Sequence, residues 1–189
     1  MAISRSDEQD NLKKSVIMRI QRSIATAGLV AIAVAVTSTP ARAEDISGVV
    51  VRTLILSEDT RLVGNITCQV TGASCIAFGA PNISLNLNGF SITGPNDATT
   101  GCAGTNVGTE AGVNTNAQSN VGIRGPGTVQ RFRGDGILFN ATVRGRVQGV
   151  TTSTNCMSGI RVGPTSSQIS VENNVAVRNG TPAAACGGI

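Results

Sequence analysis

The chain has 189 residues and a formal net charge of +4, with four Phe and no Trp, Tyr or His. The lack of His excludes a Ser/His/Asp catalytic set and, with no C-x-x-C pair, argues against a zinc centre. Six of the 15 Lys and Arg residues lie in the first 43 positions, and residues 44–189 carry a net charge of only +1. The positive charge therefore gives no support for a nucleic-acid-binding surface.

Residues 1–43 have the three-part layout of a secretory signal. A basic segment precedes an apolar Ala/Val-rich run at 24–36, and Ala41-Arg42-Ala43 matches an A-x-A cleavage pattern. The apolar run is shorter than the roughly 20 residues that span a bilayer. We expect a helical signal peptide that is cleaved, a secreted or periplasmic protein, and no membrane contact after cleavage. An uncleaved anchor is the alternative.

Residues 44–189 are expected to form one all-β domain. No segment shows an apolar pattern at helical spacing, whereas short β-rich runs recur between Gly and Asn residues. These predicted strands are Val49–Leu56, Cys75–Phe78, Ile83–Leu87, Phe90–Ile92, Val121–Ile123, Gly136–Phe139, Val143–Val147, Ile160–Val162 and Ile169–Val177.

The pair Asn88-Gly89 separates two runs whose apolar positions change parity, from odd numbers to even ones. Asn-Gly is the strongest two-residue hairpin signal, and a hairpin would set Leu87 opposite Phe90. Alternatively, the pair forms a corner at which the chain bends without reversing, because both residues tolerate left-handed backbone angles.

Internal repeats favour the corner. "DGILF" at 135, "SGIRV" at 158 and "GGI" at 187 are similar, and the step from Ile137 to Ile160 is 23 residues. Val147 and Val171 are 24 residues apart, as are Asn155 and Asn179. A period near 23 with short strands predicts a parallel β-helix with Ile, Val and Leu columns inside and hydrogen-bonded Asn columns at corners. A hairpin-containing β-sandwich is the alternative.

Two regions depart from this period. Residues 94–120 are polar and Gly/Asn/Thr-rich, which predicts an inserted loop, either a flap over the stack or a disordered segment. Ile189 falls where the inward column would continue, which predicts that a C-terminal cap is missing. We expect either a fragment of a longer protein or a last coil that something else covers.

"NISLNLNGFSITG" at 82–94 resembles the entry coil of right-handed parallel β-helix repeat proteins, the pectin-lyase-like superfamily, and "DGILF" and "SGIRV" resemble later coils. The resemblance implies a single-stranded right-handed parallel β-helix of about five to six coils. Enzymes of this superfamily are lyases, which use an Arg base and Ca²⁺ held by acidic residues, or hydrolases, which use clustered Asp. The resemblance implies one of these two chemistries if the protein is an enzyme. No cofactor is expected unless the protein is such a lyase.

The five Cys residues allow two disulfides in an exported protein. Cys156 and Cys186 occupy nearly equivalent positions in consecutive coils, and one strand spacing lies within the disulfide range. Cys68 and Cys75 could close a short loop, which leaves Cys102 over. Reduced, buried thiols are the alternative.

Five arginines are candidate binding residues on the outer face, since Arg pairs bidentately with the carboxylates of acidic sugars. They are Arg124, Arg131, Arg133, Arg144 and Arg146. A solvated sheet face with no ligand is the alternative interpretation.

Asp135 and Arg161 are weak catalytic candidates, because no acid repeats at the coil period and glycoside hydrolysis usually needs two carboxylates. We favour the alternative that Asp135 is an Arg partner or a corner residue. We therefore expect a scaffold or a module that binds polysaccharide or a cell surface. The alternative is a lyase or hydrolase whose active-site coils lie beyond residue 189.

Overall fold

The computed structural model describes residues 43–96, 108–180 and 188–189. These residues contain no helix, and therefore none long and apolar enough to cross a membrane. They form fifteen strands, β1 to β15 in chain order: Glu44–Val50, Leu54–Leu56, Thr60–Cys68, Ile76–Phe78, Ser84–Asn86, Ser91–Thr93, Val113–Asn114, Val121–Arg124, Thr128–Gln130, Ile137–Phe139, Gly145–Gln148, Thr151–Ser153, Ile160–Val162, Ser170–Glu172 and Val175–Val177.

A ten-stranded parallel sheet is organised around β3, in the order β14-β11-β8-β5-β3-β6-β9-β12-β15, with β1 also paired to β3. β5 pairs with the start of β3 at Thr60 and Arg61, whereas β6 pairs with its end at Ile66 and Thr67. Two arms of parallel strands therefore extend from one long strand.

A second parallel sheet has five strands, in the order β13-β10-β7-β4-β2. Its pairing places Ile76, Val113, Ile137 and Ile160 in one column, and all four side chains are fully buried. The same four backbone N–H groups donate to the carbonyls of a glycine column formed by Gly112, Gly136, Gly159 and Gly188.

From β7 onward, the register confirms a step of 23 or 24 residues between paired positions, which we call one rung. Ile137 pairs with Ile160, 23 residues later, and Val147 pairs with Val171, 24 later. The step from Leu85 to Ile123 is 38 residues because the inserted segment lies between them. Within that predicted loop, Val113–Asn114 forms β7 and joins the five-stranded sheet, while residues 97–107 lie outside the described residues.

The corner interpretation of Asn88-Gly89 is confirmed, and the hairpin alternative is wrong. β5 and β6 flank the pair, and both run parallel to β3 rather than antiparallel to each other. Asn88 and Gly89 have φ angles of 49° and 86°, the left-handed values that Asn and Gly adopt most readily. The Asn88 amide also donates to the Leu62 carbonyl at 3.0 Å, which fixes the bend to the strand beneath.

The more specific fold prediction, one single-stranded right-handed parallel β-helix, is wrong. The strands belong to two sheets, and β3 runs without a break past the point at which the later rungs bend. Because β3 hydrogen-bonds to both β5 and β6, faces that a regular coil would keep separate join into one sheet. The coarser expectation is confirmed: parallel strands form a curled sheet, which is compatible with a solenoid. The predicted signal helix falls in residues 1–42, outside the described residues.

Candidate functional site

Three of the five predicted binding arginines lie together on the outer face of the ten-stranded sheet. Arg124 ends β8, Arg144 immediately precedes β11, and Arg146 lies within β11. All three are exposed and line a cleft of about 420 Å³, which we call the arginine cleft. The cleft also contains one carboxylate, that of Asp59.

Strand alternation explains why these arginines point outward. Ile123 and Val147 are fully buried, so their neighbours in β8 and β11 face solvent. Gly122 pairs with Arg146 and Arg124 pairs with Gln148, which puts the two arginines in adjacent columns of one face.

Gly145 separates Arg144 from Arg146 and faces the interior. A Cβ placed on Gly145 would lie 2.6 Å from the Phe139 ring, so this position requires glycine. The two arginines on either side of it remain on the outer surface.

Small residues form the floor of the cleft. Ser84, Gly122 and Arg146 are paired neighbours on three adjacent strands. A Cβ placed on Gly122 would lie 3.6 Å from the Ser84 Cβ, an ordinary van der Waals contact. The Asp59 carboxylate accepts hydrogen bonds from the Ser84 amide at 2.7 Å and from its hydroxyl at 2.9 Å. Asp59 is therefore held by Ser84.

The charge of the cleft is only partly balanced. Arg146 Nη2 contacts Glu172 Oε2 at 2.7 Å, in an ion pair exposed on both sides. The Ser170 hydroxyl and the Arg146 charge lower the pKa of Glu172. Within the described part of the chain, neither Arg124 nor Arg144 forms an ion pair.

The other two predicted binding residues lie elsewhere and have structural contacts. Arg133 Nε and Nη2 each donate at 2.5 Å to the nearly buried carboxylate of Glu110, which also accepts from the Gly72 amide. Arg131 occupies a corner with a φ of 60°, and its backbone bonds to Ser153 and Asn96.

Asp135 and Arg161 form an ion pair in which only the arginine reaches solvent. Asp135 is fully buried, its Oδ1 accepts from the Ser158 amide at 3.0 Å, and its Oδ2 lies 2.8 Å from Arg161 Nε. The Arg161 N–H lacks hydrogen-bond alignment with Oδ2, so the contact is chiefly ionic. Burial raises the pKa of Asp135 against the lowering effects of Arg161 and Ser158.

Sequence reasoning missed the partner of Arg133 and a second cavity. A usable signal was present, because three acid–arginine pairs are separated by about one rung: Glu110–Arg133, Asp135–Arg161 and Arg146–Glu172.

The second cavity, a trough of about 630 Å³, runs along the outer face of the five-stranded sheet. Its floor is the outward column Ile55, Ala77, Asn114, Leu138 and Arg161.

The Cys68–Cys75 disulfide is confirmed, and both residues are almost fully buried. Cys156 is buried as well, but Cys102 and Cys186 lie outside the described residues, so the Cys156–Cys186 bridge stays a prediction. Among the described residues, no group of three or more His, Cys, Asp or Glu side chains is placed to hold a metal ion.

No protein-family model, curated protein or solved structure matches this chain. No known protein therefore supports the resemblance to the pectin-lyase-like superfamily. The parallel strands of this structure are compatible with it.

Proposed function

We propose that this protein is an exported binding module that holds an acidic polysaccharide or cell-surface glycan in the arginine cleft. The observation that supports the proposal best is the convergence of Arg124, Arg144 and Arg146 on one open cleft, two of them without an ion-pair partner among the described residues. A binding site of this kind needs no catalytic group.

The chemistry of the cleft suits carboxylates on an extended chain. Guanidinium groups pair bidentately with carboxylates, and such charge-assisted hydrogen bonds are stronger than neutral ones. The shallow floor at Ser84 and Gly122 leaves room for a sugar ring between the arginines. Arg146 is held by the exposed Glu172, an exchangeable partner that a ligand carboxylate would replace.

Two observations support export. The leader has a signal-peptide layout, and the Cys68–Cys75 disulfide is typical of proteins that mature outside the cytosol.

The enzymatic alternative, a polysaccharide lyase or glycoside hydrolase, requires carboxylates that reach the glycosidic bond. Asp135 is sealed from solvent, and Glu110 is almost buried and tied to Arg133 and Gly72. Neither Asp135 nor Glu110 therefore favours catalysis over binding.

Binding is tested with polygalacturonate by isothermal titration calorimetry at low and moderate salt. We expect Arg124→Gln/Arg144→Gln to weaken the affinity by about tenfold or more, since charged hydrogen bonds contribute about 1.5–3 kcal/mol each. Gly122→Leu should also weaken binding, because it fills the floor without changing charge or adopting a strained φ.

The matched control is Arg52→Gln/Arg178→Gln, which removes two exposed positive charges outside the cleft. The control should bind as the unaltered protein does. Equal loss in both double variants would mean that binding follows net charge alone, and the proposed site would be abandoned. Absence of any binding to polyuronates would reject the proposed ligand class.

A further inference from the structure

The trough on the five-stranded sheet has a composition unlike that of the arginine cleft. Amides and hydroxyls of Ser74, Thr109, Asn116 and Asn140 line its sides, and Ile55, Ala77 and Leu138 provide an apolar floor. Among the described residues that line it, Arg161 is the only charged one. A cavity with one cation, several neutral polar groups and an apolar base suits a small organic anion with hydroxyl groups.

Arg161 is oriented so that one edge of its guanidinium remains available. Nε faces the buried Asp135 carboxylate at 2.8 Å, while the side chain as a whole is 41% exposed. Neither Nη atom hydrogen-bonds to any residue in the described ranges. Those N–H groups are the donors that an anion in the trough would meet.

Asp135 controls how much of the Arg161 charge an anion experiences. When ionised, Asp135 neutralises the guanidinium from behind; when protonated, it leaves one uncompensated positive charge in the trough. In the part of the chain that the structure describes, Arg161 is the charged side chain that acts on Asp135, whereas the Glu110 carboxylate bonds to Gly72 and Arg133. Burial already favours the protonated form of Asp135.

We propose that the trough binds a singly charged organic anion against Arg161, and that protonation of Asp135 strengthens this binding at acidic pH. The site lies on a different sheet from the arginine cleft and does not depend on the function proposed for that cleft. Asp135 and Arg161 are both weak catalytic candidates on sequence grounds; here Arg161 becomes the binding residue and Asp135 the positioning residue that adjusts its charge.

The test uses methanesulfonate, a monoanion that does not titrate in the relevant range, followed by NMR shifts of the Arg161 side-chain N–H groups. Affinity should rise about tenfold between neutral pH and the pH at which Asp135 is protonated, because one negative charge close to the anion is removed. Asp135→Asn should bind tightly at both pH values. Arg161→Gln should lose the binding, whereas Arg124→Gln/Arg144→Gln should retain it.

A measurement on the unaltered protein guards against misfolding of Asp135→Asn. By linkage, an anion that prefers protonated Asp135 must raise the pKa of that carboxyl, which the ¹³C shift of its side chain reports. An Asp135 titration unmoved by methanesulfonate would overturn the proposal. Binding that is independent of pH, or equal in Arg161→Gln, would do the same.

Discussion

At the scale of single residues, the side-chain amides of Asn155 and Asn179 supply hydrogen bonds to backbone groups. Asn155 is fully buried, accepts from the Phe132 amide at 3.0 Å and donates to the Val129 carbonyl and to Asn179 Oδ1. Asn179 in turn donates to the Thr152 carbonyl at 3.0 Å. The amides thus form the hydrogen-bonded column that the 24-residue spacing of Asn155 and Asn179 predicted.

Asn155→Ala should lower the free energy of unfolding by about 2–4 kcal/mol. The substitution leaves the buried Phe132 N–H without its acceptor, which costs about 1–3 kcal/mol, and also removes the hydrogen bond to the Val129 carbonyl. Urea unfolding followed by circular dichroism measures the change. The control is the exposed Asn140→Ala, which should stay within about 0.5 kcal/mol. Equal stability of the two variants would contradict a structural role for the column.

Positions that repeat along the sequence, or that lie close together in it, were predictable, whereas the partner of Arg133 and the burial of Asp135 were not. Cys68 and Cys75 are close in the chain, so their pairing could be proposed from spacing. The partner of Arg133 was not proposed, although it lies one rung away, because Glu110 is in a polar segment that gave no strand signal. Nor does local sequence reveal that Asp135 is sealed, since its burial depends on residues packed from neighbouring rungs.

At the scale of elements, the glycine column sets how closely successive rungs pack. A Cβ on Gly136 would lie 2.6 Å from both the Gly159 carbonyl and the Asn155 amide. A Cβ on Gly112 would lie 2.7 Å from the Gly136 carbonyl. The Gly-Ile and Gly-Val pairs of the repeat therefore mark positions where one backbone approaches the next too closely for any side chain.

Gly136→Ala should destabilise the protein by about 1–3 kcal/mol, the usual effect of overpacking, because the backbone must move to admit a methyl group. Gly122→Ala is the matched control, since Gly122 also lacks a left-handed φ but a Cβ there would make only an ordinary van der Waals contact, at 3.6 Å from the Ser84 Cβ. It should change stability by no more than about 0.5 kcal/mol. Thermal and urea unfolding of both variants give the comparison, and a tolerated Gly136→Ala would refute the tight packing.

Strand positions were largely predictable, whereas sheet membership was not. Alternation identified Ile83–Leu87 and Val121–Ile123, and the structure has strands at both places. The division into sheets depends on β3, whose nine residues pair with two later strands. No rung after β3 contains such a strand, so the repeat gave no template for it.

At the scale of the whole molecule, the outward columns of one arm are polar until β15, where they become apolar. Successive rungs place Ser91, Thr128, Thr151 and finally Val175 at one outward position. The second outward position holds Thr93, Gln130, Ser153 and finally Val177. Polar side chains thus give way to valines that are 51% and 40% exposed.

The strand that carries these valines also ends its sheet. β14 and β15 are the two ends of the ten-stranded path, and no described strand pairs with their outer sides. An edge strand with exposed apolar residues favours association with other chains, because unpaired backbone groups and apolar surface are available together. We therefore expect reversible self-association at high protein concentration.

Val175→Thr/Val177→Thr should reduce that self-association and leave the fold intact. Thr keeps the β-branched shape and restores the side chain that earlier rungs carry at Thr93, Thr128 and Thr151. Sedimentation velocity over a range of protein concentrations measures the change, with unfolding in urea as the check on stability. Val143→Thr, at a valine that is 40% exposed outside β14 and β15, is the control and should associate as the unaltered protein does. If the unaltered protein stays monomeric at every concentration, or if the double variant associates equally well, the end of this sheet does not mediate contact between chains.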